Sequence, residues 1–143
     1  MKKLGSGILA IASSTKNICL SWRSQEIKEG DCFGMIGGMV KTGLTVEEGA
    51  LLEMKEEVGY TGPITLYKAH TFRRNKFEYH NFIGIVPEEF DFHPLPEFAF
   101  ETDFILWMSY DRVKKLMADD SSDFHPGLLE LLRESTDLIQ KLV

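Results

Sequence analysis

The sequence predicts an α/β fold in a single domain, with a mixed β-sheet packed between helices. Three observations carry that expectation. Strand-like stretches lie on both sides of one strongly specified helix, at 46–58. A chain of 143 residues suits one domain with a sizeable core. No linker, internal repeat or low-complexity run divides it, so residues 1–143 are expected to form one unit.

Taken in order, residues 4–13 and 17–23 (NICLSWR) read as two strands joined by a turn at 14–16. SQEIKEGD, 24–31, is a polar loop, and CFGMIGGMV, 32–40, is extended and glycine-rich. The helix follows. YTGPITLYKAHTF gives a turn and a strand, RRNK (73–76) a basic turn, and FEYHNFIGIV (77–86) a returning strand. Residues 87–100 hold three prolines and read as irregular. DFILWMSY is a strand and DRVKKLM a short helix. An amphipathic helix opened by Pro126 is expected to run over 126–142.

Composition narrows the function classes. The net charge of −6 argues against non-specific attraction to nucleic acid or an anionic membrane. An acidic protein acting on phosphates needs local basic residues or a cation to offset repulsion. Cys19 and Cys32 form neither a disulfide framework nor a zinc motif, so a reducing cytoplasm is the expected location. Lys2 and Lys3 precede an apolar run, but Gly5 and Gly7 interrupt it. Ile8–Ala12 is therefore expected to be a strand, not the apolar part of a signal peptide. No apolar run reaches the length of a membrane-spanning helix.

The helix carries the chemistry. Thr45 and Glu48 have capping-box spacing, and Gly59 stands where a left-handed C-cap belongs. At about 100° per residue, Glu53, Glu56 and Glu57 share one arc of about 100°. Ala50, Leu51, Met54 and Val58 form the expected buried stripe beside it. Like charges at these spacings repel, and no lysine or arginine shares the arc. Gly49, one turn before Glu53, leaves room for another segment or a ligand. Two readings stand on geometry alone: a solvated acidic face, and a site for a divalent cation such as Mg²⁺, which favours hard oxygen ligands.

These residues resemble the signature of the Nudix (MutT-like) hydrolases. Gly38, Glu53, Met54, Glu56, Glu57, Gly59 and Tyr60 match it in register. NICLSWR, FGMIGG and ETDFILWMSYDRVKKL resemble further family segments, so the likeness covers most of the chain. It implies an α/β/α sandwich that hydrolyses a nucleoside diphosphate linked to another group, a small nucleotide-type substrate, with Mg²⁺ or Mn²⁺ as cofactor. By that likeness Glu56 and Glu57 bind metal, Glu53 binds metal or helps deprotonate water, and the Gly38 carbonyl is a further ligand. Glu101 matches a late family glutamate that binds metal or acts as base, and Arg23 would touch phosphate. Three positions depart: Leu44 replaces a glutamate, Leu52 an arginine, and Ile36 a proline. The first two form a bracing ion pair in the family. Here the leucines are expected to pack together as an apolar substitute, since replacing both partners of a buried pair by apolar groups can be neutral or stabilising.

Outside the helix, Arg73, Arg74 and Lys76 could bind phosphates, or simply form a solvated turn. Glu78 is a further possible base. Trp22, Phe33, Phe72, Phe77 and Tyr79 could stack on a base or fill the core, and Trp107 is expected in the core. His70, His80, His93 and His125 show no metal spacing. The leucines at 128, 131, 132, 138 and 142 form a stripe expected to pack on the sheet, with part available for a homodimer. Three functions remain in view: a Mg²⁺-dependent pyrophosphohydrolase, a binding module of the same fold with little turnover, and an interaction domain using the C-terminal leucines.

Overall fold

The computed structural model describes residues 2–143; Met1, the first residue of the expected domain, lies outside them. Strand β1 (Lys3–Ala12) is the spine. It pairs in parallel with β6 (Phe77–Val86), from Lys3↔Phe77 to Ala12↔Val86. It pairs antiparallel with β4 (Ile36–Met39) and, at Ile11↔Ile18, with β2 (Ile18–Arg23). On its other sides β2 carries β3 (Cys32–Gly34) and β7 (Thr102–Met108), and β5 (Thr65–Arg74) lines β6 antiparallel. The sheet is therefore mixed and has seven strands.

Helices cover both faces, which explains the continuous apolar run Ile8–Ala12, every residue of which is fully buried. Side chains alternate across the sheet. Ile8 and Ala10 face Ala50, Met54 and Val58 of the helix at 46–58. Leu9 and Ile11 face the C-terminal helices through Val113, Leu128, Leu131 and Ile139. Burial of each such aliphatic side chain contributes roughly 1.5–3 kcal/mol.

Four boundaries differ from expectation. The extended stretch at 32–40 splits into β3, on β2, and β4, on β1. β5 continues through Arg74, so the turn shrinks to Asn75 and Lys76, with Asn75 left-handed at φ 48°. Strand β7 ends at Met108, because Ser109 caps a helix that begins at Tyr110, its hydroxyl accepting from the Arg112 N–H at 3.1 Å. The single C-terminal helix is two, Pro126–Glu134 and Thr136–Leu142, broken at Ser135. Ser135 is buried, and its hydroxyl accepts from the His70 N–H at 3.2 Å, which fixes the break against β5. Leu128, Leu131 and Leu132 are buried and Leu138 and Leu142 pack against the same core, so the leucine stripe is used within the chain. Among the described residues, no helix is long and apolar enough to cross a membrane.

Candidate functional site

The helix that follows β4 opens as its sequence requires. The Thr45 hydroxyl accepts from the Glu48 N–H at 3.0 Å, and Glu48 Oε1 accepts from the Thr45 N–H at 2.9 Å. Helix α1 spans Val46–Glu53. It then widens into one π-helical turn, Met54–Val58, closed by left-handed Gly59 at φ 78°. The wide turn takes an extra residue, so the faces shift from those of a regular helix. Leu51, in the regular helix before that turn and expected in the buried stripe, is 40% exposed, whereas Ala50, Met54 and Val58 are buried as expected. Glu56 and Glu57, expected at its border, are only 8% and 6% exposed. Gly49 does leave room, but the chain itself fills it: a Cβ there would lie 3.0 Å from Val40 and 3.3 Å from the Ser6 hydroxyl.

Each glutamate has a distinct setting. Glu57 accepts from the Gly37 N–H and from the Thr102 hydroxyl, both at 3.1 Å. Glu56 receives Lys41 at 3.1 Å, from the loop before the helix. Glu53 lies so close to Gly38 that an added Cβ would sit 2.6 Å from its Oε1. Burial pushes the Glu57 carboxyl up to about 8, and Glu53 adds to it; the two hydrogen bonds oppose the shift. Burial pushes Glu53 up to about 7, with Glu56 and Glu101 adding and Lys41 opposing. Glu101 is also raised, by burial and by Glu56, against Arg23. The four carboxylates thus act on one another through their charges.

A cleft of about 680 Å³ opens beside them, with Glu57, Glu101 and Gly38 on its wall. Arg23 lines it, though Nε donates to the Glu29 carbonyl at 2.9 Å and Nη2 to that of Lys28 at 2.6 Å, so much of this guanidinium holds the 24–31 loop. Arg73 does not line the cleft. Its Nε lies 3.4 Å from Glu78 on the exposed hairpin. Arg74 does line it, with its guanidinium 3.9 Å from the Phe72 ring centre. The strand alternation decides between the two arginines, and a turn placed at 73–76 hides it. Glu78 receives Lys2 at 2.6 Å, which holds its carboxyl down at about 2 and makes it a poor base near neutral pH.

Phe72, Phe77 and Tyr79 line the cleft, whereas Trp22 stacks on Phe104 and Phe33 packs against the core. Trp107 is half-buried, its indole N–H donating to the Phe90 carbonyl. His125 caps its own helix through the Gly127 N–H and meets Glu29 at 2.7 Å. Sequence reasoning missed Lys41, Thr102 and His125. Lys41 left a signal as the lone cation between the paired glycines and the acidic helix. Thr102 left only its adjacency to Glu101.

Glu53, Glu56, Glu57 and the Gly38 carbonyl offer hard oxygen donors only, which suits Mg²⁺ or Mn²⁺. The missing Cβ at Gly38 is what admits the Glu53 carboxylate. Among the described residues, no three acidic, histidine or cysteine side chains are already grouped around one ion-sized point. Lys41, Gly37 and Thr102 hold Glu56 and Glu57 in their present directions.

The family model described as the NUDIX domain matches residues 1–129. No curated protein matches this sequence. Among solved structures, a Nudix hydrolase from M. smegmatis superposes with TM-score 0.76 at 16% identity, covering 99% of this chain and 87% of its own. A NUDIX-family hydrolase from Clostridium perfringens gives 0.72 at 15%, covering 100% and 99%. A C. elegans Ap4A hydrolase in a binary complex gives 0.71 at 15%, covering 96% and 98%. At these identities the likeness is one of fold.

Proposed function

The chain belongs to the NUDIX domain family, and from that premise we propose that it hydrolyses a phosphoanhydride bond in a nucleoside diphosphate linked to another group. The observation that supports this reading is the electrostatic coupling of Glu53, Glu56, Glu57 and Glu101, of which Glu57 and Glu101 line a cleft walled by aromatic rings and Arg74.

Glu53, Glu56, Glu57 and the Gly38 carbonyl would hold Mg²⁺ or Mn²⁺. The cation, when bound, supplies charge that offsets the phosphate oxygens. Glu101, raised and at the cleft wall, would take a proton from the attacking water, with Glu53 as the second choice. The new P–O bond forms from that water as the anhydride P–O bond breaks. Arg74 and the free part of Arg23 would face the phosphates. Cys19 and Cys32 are both free and buried, which suits a reducing compartment such as the cytoplasm.

A second reading, a binding module with little turnover, has Leu44 and Leu52 in its favour, because the family's bracing ion pair is absent. One experiment separates the two. The nucleotide and phosphomonoester products are measured by chromatography over nucleoside triphosphates, ADP-ribose, dinucleoside polyphosphates and sugar nucleotides, with and without Mg²⁺. The hydrolase reading expects one class to be cleaved with Mg²⁺ and the rate to fall by about 10²–10⁴ in Glu57→Gln. A panel on which wild type and Glu57→Gln are equally inert supports the binding module.

A further inference from the structure

Asn81 lies on β6 at the cleft wall and is only 3% exposed. Opposite it the β5–β6 ladder is irregular: Lys68 pairs with Phe82 and Thr71 with His80, so Ala69 and His70 both face the single residue Asn81. Such a bulge frees backbone groups and re-aims a neighbouring side chain. Both freed groups of His70 are taken up. Its N–H donates to the Ser135 hydroxyl, and its carbonyl accepts from Asn81 Nδ2 at 2.9 Å.

That second bond fixes the amide. Only the NH₂ can donate to a carbonyl, so a flipped Asn81 would set two oxygens against each other. The Oδ1 atom is thereby turned away from β5, and among the described residues it is buried with no hydrogen-bond partner. A buried acceptor left unpaired costs about 1–3 kcal/mol. Close by, the cleft offers the Phe72, Phe77 and Tyr79 rings, with Phe77 6.2 Å from Tyr79 and 6.4 Å from Phe72. Flat apolar rings around one fixed acceptor suit a planar heterocycle that carries a donor.

We propose that Asn81 is the specificity-determining residue of the cleft, its Oδ1 accepting from the exocyclic amino group of the substrate's nucleobase. This rests on the nucleotide reading above. It selects bases bearing an amino group over otherwise matched bases that lack one. Selection arises because the unmatched base leaves Oδ1 unpaired in a dry site, a loss that contacts elsewhere do not restore.

The test is equilibrium binding by calorimetry to metal-free protein in EDTA, using nucleoside 5′-monophosphates that differ by the amino group. The pairs are AMP with purine riboside monophosphate, GMP with IMP, and CMP with 2-pyrimidinone riboside monophosphate. In at least one pair the amino-bearing member is expected to bind about 10- to 100-fold more tightly. In Asn81→Leu, of similar size, that ratio should fall to near one. Melting temperature reports whether the variant folds, and the wild-type pairs test the proposal even if it does not. Equal binding within every pair, no binding of any nucleotide, or a ratio that survives in Asn81→Leu overturns it. Mg²⁺-dependent product formation that persists alongside equal binding would remove the Asn81 assignment alone. Loss of both binding and product formation would remove the nucleotide reading as well.

Discussion

Single atoms decide what this site can hold. At Gly38 the three atoms nearest an added Cβ all belong to the Glu53 carboxylate, with Oε1 at 2.6 Å and Cδ at 3.0 Å. That group is the end of a flexible side chain, so Gly38→Ala should fold and displace the carboxylate. We expect kcat to fall at least about tenfold with a melting temperature close to wild type, since a misplacement of about 1 Å costs that much or more. Gly37 is the contrast. A Cβ there would sit 2.5 Å from the Ser6 carbonyl and against the Tyr79 hydroxyl, so Gly37→Ala should lower the melting temperature. Thermal melts of both variants beside their rates check this. A Gly38→Ala enzyme at full rate would show that the Glu53 position is not critical.

At the scale of elements, the helix ends and most strands were legible because local chemistry specifies them. Thr45, Glu48 and Gly59 each satisfy or terminate backbone groups within a few residues. The π-helical turn was not legible, because no residue in MKEEV marks it. It follows from packing Met54 and Val58 against the sheet while Glu57 reaches Gly37 and Thr102. The break at Ser135 and the bulge at Ala69–His70 were hidden for the same reason: each depends on the other element, 65 residues apart along the chain. The three helix carboxylates were legible as a set, whereas Lys41, Thr102 and the choice of Arg74 over Arg73 needed the fold. Leu44 and Leu52 test how the loop is braced to α1. Both are half-buried. Leu52→Arg alone should lower the melting temperature, because a half-buried guanidinium gains no carboxylate partner at 44. Adding Leu44→Glu should recover part of the loss, a coupling that a double-mutant cycle measures. An unchanged melting temperature in Leu52→Arg would exclude the apolar brace.

For the whole molecule, the carboxylate cluster links the candidate chemistry to stability. Folding raises Glu53 from an ordinary 4.5 to about 7 and Glu57 to about 8, mainly by burial. The folded state therefore holds protons that the unfolded chain releases above about pH 4.5. A raised carboxyl contributes its full stability below that pH and loses it as pH rises through the folded values. Below pH 8, thiols and phenols are mostly protonated in either state. His125, lowered from 6.5 by burial, gains stability as pH rises through about 6.5 and opposes the carboxyls there. The two carboxyls, raised to about 7 and 8, outweigh it. In EDTA the melting temperature should fall from pH 6 to pH 8. Glu57→Gln removes one ionisation and keeps an oxygen to accept from Gly37 or Thr102, so its fall should be shallower, and at pH 8 it should melt above wild type. Added Mg²⁺ should raise the wild-type melting temperature more at pH 8 than at pH 6, because binding needs the ionised carboxylates. Such a pattern fits a site that gives up stability for function. If the metal-free protein melts at the same or a higher temperature at pH 8 than at pH 6, the buried glutamates are ionised without cost, and the cation is not what their mutual repulsion requires.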